Sequence, residues 1–231
     1  MMSRNEVNKM AKGKLIVIEG ACDGIGKSTQ FELLKERLLK EGKKVICHHF
    51  PSYDLYQGLG VTKYLKGEYG KIDSLSPYFI NNLYAYDRMI TWQEKLKEAY
   101  LKGDIILLDR YTTSSLIYQS ASFKDAHLKK QFIKNIEDFE YEKLGLPRPD
   151  MVLFLEAPFD LVKKMRQERN GHQEEDIHEK NEAFLKEVYE SALFLADFSS
   201  WTKIKCYQKE EMKSIVEIHE EIYKEVEKVL K

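Results

Sequence analysis

A chain of 231 residues with 43% hydrophobic side chains holds enough apolar mass for one sizeable core, which predicts a single domain over 1–231. Lys and Arg (37) balance Asp and Glu (38), and a net charge of −1 excludes a general polyanion binder, so no nucleic-acid partner is expected and phosphate recognition must be local. No apolar run is long enough for a membrane span, no signal-peptide pattern opens the chain, and Cys22, Cys47 and Cys206 are scattered and odd in number; a protein with free thiols, off the membrane in a reducing cytoplasm, is expected.

Residues 1–12 are polar and read as a flexible N-terminus. The first strand, KLIVIEG (14–20), is a continuous apolar run and leads into ACDGIGKSTQ. The phosphate-loop template G-x-x-x-x-G-K-[ST], anchored on Gly26-Lys27-Ser28, asks for glycine at 21, where Ala21 stands; Gly20 lies one residue early. Small residues are needed there because backbone N–H groups must converge on phosphate oxygens. Asp23, Gly24, Ile25, Gly26, Lys27, Ser28 and Thr29 are therefore the candidate ATP site, with Lys27 as a point charge and Ser28 as a Mg²⁺ ligand. Bound phosphates would repel Asp23, which should turn toward a second substrate that offers hydroxyls. A helix follows, with Phe31, Leu34 and Leu38 on one face and Gly42 as its stop.

The second strand is KKVICHHF (43–50) and runs into PSY. The third, DIILLDR (104–110), ends on Asp109, the pattern of a carboxylate that holds Mg²⁺. A water-activating ATPase commonly carries a second carboxylate next in line; here Arg110 offers a planar fork suited to a phosphate acceptor. The fourth strand, PDMVLFLEA (149–157), precedes a helix bearing Arg166 and Arg169, and the fifth is TKIKCYQ (202–208) before a charged helix over 212–230. Strand–helix alternation predicts an α/β three-layer sandwich, a five-stranded parallel sheet with helices on both faces. Ligands of such sheets bind beyond the strands' carboxyl ends, here just after residues 20, 50, 109 and 157.

The ordered motifs EG…DGIGKSTQ, FPSY, LYAYDR, DRYTTSSLIYQ, LPRPD and DIHE together resemble the thymidylate kinase family of P-loop nucleoside monophosphate kinases, from Lys14 to about the C-terminus. The resemblance implies phosphoryl transfer from ATP, with Mg²⁺, to dTMP, and a homodimer. It assigns the deoxyribose 3′-hydroxyl to Asp23 and places Pro51 and Tyr53 in the turn that reaches the monophosphate. A further arginine common in that turn is absent at Ser52. Tyr84 should stack on thymine, and Arg88, one helical turn on, should reach the base edge; Tyr86 is left to helix packing. Arg110 should clamp the dTMP phosphate, Ser115 and Gln119 lie near the base, and Tyr118 crowds the sugar 2′ position. Residues 166–178 resemble the lid, and Gly24, where one branch of the family keeps an arginine, points to the branch whose lid supplies it, through Arg166 or Arg169. His178 and Glu179 fit the DIHE pattern. Against the family spacing, one extra residue lies around Ala21-Cys22, and a bulge at the strand end is expected to absorb it.

A phosphate acceptor is already ionised, so catalysis reduces to positioning and cationic stabilisation by Lys27, Asp109 with its metal, Arg110 and the lid arginines. Two other readings stay open at this point. A deoxynucleoside kinase would need a base near the end of the second strand, where only His48 and His49 precede Asp54. A catalytically silent homologue would bind without turnover. A GTP-dependent switch is disfavoured, since no N-K-x-D motif occurs.

Overall fold

The computed structural model describes residues 12–20, 24–170, 178 and 181–231, with backbone alone at 73 and 166–170. Five parallel strands, β1 Leu15–Gly20, β2 Val45–His49, β3 Ile105–Asp109, β4 Met151–Glu156 and β5 Thr202–Lys205, form a sheet in the order β2-β3-β1-β4-β5. The connections carry α1 Lys27–Lys40, α2 Leu59–Leu65, α3 Pro77–Thr91, α4 Lys97–Leu101, α5 Thr112–Ser120, α6 Ala126–Glu137, α7 Phe159–Asn170 and α8 Glu182–Phe198; α9, Ile215–Leu230, follows β5.

The period-two alternation of a strand sends neighbouring residues to opposite faces, and each face has its own core. Ile16, Ile18, Ile105 and Leu107 pack with Phe31, Leu34 and Leu38 of α1, with Leu195 of α8 and with Ile222 of α9. Leu15, Val17, Ile106 and Leu108 pack on the other face with Trp92, Leu96, Tyr111 and Tyr141. Each fully buried aliphatic side chain contributes roughly 1.5–3 kcal/mol. β1 and β3 are buried throughout, whereas β2, at the sheet edge, is only partly covered. Gly42, with φ 74°, ends α1 as expected, its N–H bonded to Leu39 O at 3.0 Å.

The expected fifth strand is shorter than its sequence run. β5 stops at Lys205, and Tyr207–Gln208 instead form a two-residue antiparallel hairpin with Glu211–Met212 through a left-handed Lys209 (φ 56°). The last helix accordingly begins at Ile215, fixed by a Ser214–Glu217 capping box. Among the described residues, no helix is long and apolar enough to cross a membrane. Register pairs His49 with Asp109, Asp109 with Ile18, and Gly20 with Leu155, so the carboxyl ends of four strands lie level along one edge. β1 stays in regular register through Gly20. The bulge expected around Ala21-Cys22 lies outside the described residues, as does Asp23.

Candidate active site

The loop after β1 passes through Gly24 (φ 102°) and Gly26 (φ 91°), left-handed conformations that a side chain would strain. Gly26 is the N-cap of α1, and Lys27, the first helical residue, is buried. Gly20 has a separate reason to lack a side chain: a Cβ there would come 3.0 Å from Ile25 Cγ2 and 3.4 Å from Lys27 Cδ. Ser28 and Thr29 are exposed at the start of the helix. Gly24, Ile25, Gly26, Lys27, Ser28 and Thr29 all line one cavity with about 870 Å³ of open space, closed by Met165 of α7 and by Met212, Lys213, Ile215 and Ile218 from the far end of the chain. Helix-end N–H groups and a buried cation make this an anion cradle.

Asp109 ends β3 and is buried, and its Oδ2 accepts from His49 Nδ1 at 3.1 Å. Its other oxygen, Oδ1, is buried and has no hydrogen-bond partner among the described residues. Burial alone would raise the carboxyl pKa, but the bond from His49 and the fields of Lys27 and Arg110 outweigh it and hold it below the usual value. An ionised carboxylate with one oxygen uncommitted suits a hard cation, and magnesium takes only one or two such ligands alongside substrate phosphates. His48 turns the other way, its Nε2 2.9 Å from Ser52 Oγ, and burial lowers its pKa to about 4, which suits poorly a base for a sugar hydroxyl.

Arg110 follows with φ 68°, rare for a residue with a side chain, and its N–H is anchored to Ile18 O at 3.1 Å. That turn takes the chain out of the sheet and aims the guanidinium, 13% exposed, into a second pocket with about 510 Å³ of open space. Its lining includes Pro51, Tyr53, Tyr84, Arg88, Arg110, Ser115, Tyr118 and Gln119, so every described residue expected to hold the acceptor nucleotide meets there. Gln119 Oε1 is buried without a partner among the described residues, an acceptor left over for a ligand donor. Tyr53 is 48% exposed at the rim, beyond a cis Phe50–Pro51 peptide bond. Tyr86, expected to serve helix packing, is instead 47% exposed.

Several contacts around these two cavities escaped the sequence reading. Glu19, fully buried in β1, accepts from Thr113 Oγ1 (2.8 Å) and Ser114 Oγ (2.6 Å) and lies 3.9 Å from Arg110 Nη1. A glutamate inside an otherwise apolar strand was the available signal, since a buried charge must find partners. Arg88, fully buried, gives Nε to Glu140 Oε2 (2.7 Å) and Nη2 to Glu140 Oε1 (2.6 Å) and Ser115 Oγ (2.9 Å). The side chain expected only to read a base is thus also a member of a buried ion pair. His178 also joins the acceptor pocket, with Nε2 2.8 Å from Tyr64 Oη and its ring stacked on Tyr118 at 5.4 Å. The backbone of α7 runs through Arg166 and Arg169, whose side chains lie outside the described residues, as does Glu179.

Comparison with known proteins agrees with this geometry. A family model described as Thymidylate kinase matches residues 18–222. The chain is 34% identical to a thymidylate kinase of Plasmodium falciparum over 94% of its own length and 91% of the relative's. It is 32% identical to a probable thymidylate kinase 1 of Saccharolobus solfataricus, over 80% and 89%. A thymidylate kinase structure from Candida albicans superposes with a TM-score of 0.68 at 23% identity, covering 94% of this chain and 92% of that one, and so shares the P-loop NTPase fold. With 205 residues, 18 through 222, matched by the family model and two cavities at the sheet's carboxyl edge, the chain belongs to the thymidylate kinase family, the ATP:dTMP phosphotransferases.

Proposed function

We propose that the chain transfers the γ-phosphoryl group of ATP to the phosphate of dTMP, giving dTDP and ADP for dTTP synthesis, as a single kinase domain with a lid at about 166–178. The observation that carries the reading is the pairing of two pockets: an anion cradle lined by Gly24–Thr29, and beside it a pocket that gathers Arg110 with the aromatic and polar residues of the expected acceptor site.

In this mechanism the loop N–H groups and Lys27 hold the ATP phosphates, and Arg110 fixes the acceptor phosphate in line with them. The acceptor oxygen is ionised at neutral pH, so no side chain need take a proton from it. Ser28 and Asp109 would hold Mg²⁺, which when bound neutralises charge on the transferring group. Asp23 receives the sugar 3′-hydroxyl, Tyr84 stacks on the base, Arg88, Ser115 and Gln119 face its edge, and Tyr118 disfavours a 2′-hydroxyl. Arg166 or Arg169 would close over the transferring phosphoryl. The protein acts in the cytoplasm as a homodimer, which sedimentation velocity checks.

A coupled ADP-release assay with dTMP, dUMP, dGMP and thymidine tests the reading. Turnover of dTMP but not thymidine is expected. Turnover of thymidine alone would mean a nucleoside kinase, and binding of dTMP without turnover a silent homologue. Arg110→Ala should lower turnover by at least about 10²–10³-fold while ATP still binds; near-normal turnover in that variant would remove Arg110 from the phosphate clamp.

A further inference from the structure

We infer that Glu140 is a positioning residue for nucleobase recognition: it takes one edge of the Arg88 guanidinium, cancels its charge, and leaves the other edge to read the base. The inference rests on the acceptor-site reading above. Glu140 lies just beyond α6, in a π-helical turn over Asp138–Lys143. Phe132, Ile133 and Ile136 mark the buried face of α6, and Glu140, four residues after Ile136, continues that face with a carboxylate. Its exposure is zero, an environment that acidic residues occupy only when paired.

The pairing is bidentate, the strong form of an arginine–carboxylate contact. Nε–H goes to Oε2, and the two Nη2 protons go to Oε1 and Ser115 Oγ. A guanidinium has five N–H donors, so the two on Nη1 are what this clamp leaves over, and Arg88 lines the acceptor pocket. Burial works against the Arg88 charge, and the Glu140 carboxylate more than offsets it. An unpaired arginine would make this end of the pocket a second anion site. Paired, it presents donors without net charge, which favour a carbonyl on a neutral ring over a second phosphate.

Glu140 is itself held in place by a third contact. Oε2 accepts from Thr112 Oγ1 at 2.7 Å, and Thr112 opens α5 two residues after Arg110. The Thr112 hydroxyl therefore helps to hold the carboxylate in the orientation that grips Arg88.

The test compares wild type, Glu140→Gln and Glu140→Asp. KM for dTMP, KM for ATP and the competitive inhibition constant of 2-deoxyribose 5-phosphate, which keeps sugar and phosphate but has no base, are measured for each. Glu140→Gln should raise KM for dTMP about tenfold, a change of ~1.4 kcal/mol. KM for ATP and the inhibition constant of the baseless phosphate should stay within about twofold. Glu140→Asp keeps the charge, serves if the glutamine variant does not fold, and should show a smaller rise confined to dTMP. Unchanged KM for dTMP in a folded variant overturns the inference, as does equal weakening of dTMP and the baseless phosphate, which marks a merely structural residue. Failure of wild type to turn over dTMP would instead sink the acceptor-site reading itself.

Discussion

His48 sits partly buried near the end of β2, hydrogen-bonded to Ser52, and burial holds its pKa down to about 4. In the unfolded chain the same ring titrates near 6.5, so below that pH the unfolded state binds the extra proton and gains on the folded one. Stability from this group is therefore intact above about pH 6.5 and is lost as pH falls toward 4. The full shift corresponds to ~3 kcal/mol, and solvent screening of a partly exposed ring brings it nearer ~2 kcal/mol. Urea unfolding at pH 7 and pH 4.5 should show that acid loss in wild type and a shallower one in His48→Gln; equal slopes would remove His48 as the cause. At this scale, what was legible depended on sequence distance. Asp109 and Arg110 were readable as site candidates because they stand at the end of one apolar strand. Glu19 and Glu140 were not, because their partners lie 94 and 52 residues away and only folding brings them together.

Two glycines show how elements position the site by contact alone. A Cβ on Gly58, just before α2, would fall 2.0 Å from Ser52 O and 2.5 Å from Ser52 C. That turn also carries Pro51 and Tyr53 and is pinned by Ser52 N–H to Asp87 Oδ2 of α3 at 2.7 Å. A Cβ on Gly13, at the opposite end of β1, would fall 2.0 Å from Asp104 O. Both alanine variants meet backbone and should lose ~1–3 kcal/mol, measured by urea unfolding. Only Gly58→Ala should also raise KM for dTMP, several-fold, because only it moves the pocket wall; a parallel rise in Gly13→Ala would break this assignment. β1, β3 and β4 were legible as elements because strands buried on both faces are continuous apolar words. The hairpin at 207–212 was not, because two-residue strands have no period to read. The π-helical turns at Trp92–Leu96 and Asp138–Lys143 add a residue per turn and so slip past a 3.6-residue template.

Across the whole molecule, α9 is bound to α1 at several levels. Gln30 Nε2 donates to Ile215 O at 2.9 Å, Arg37 reaches Glu220 at 2.7 Å, and its guanidinium lies 3.4 Å over the Tyr223 ring. Ile222 and Val226 are fully buried beneath it. Ile222→Ala should cost ~2–4 kcal/mol in thermal or urea unfolding and leave KM for ATP unchanged. Ile218→Ala, one turn earlier and in the loop cavity's wall, should also raise KM for ATP; equal KM values in the two variants would exclude α9 from the nucleotide site. This role was invisible in the sequence, where the segment is a charged amphipathic helix like many others. The alternating strands and helices fixed the sheet, but which distant helix covers the phosphate loop depends on the packing of the whole.

That closure across the chain has a consequence for how the enzyme is made. The ribosome delivers residues 24–29 well before residues 212–218, yet both stretches line one cavity. A chain synthesised only as far as β5 lacks the wall that completes this cavity. Full ATP recognition therefore waits until translation has passed residue 218, and a chain clipped before Met212 would keep the motif while losing that wall of the cavity.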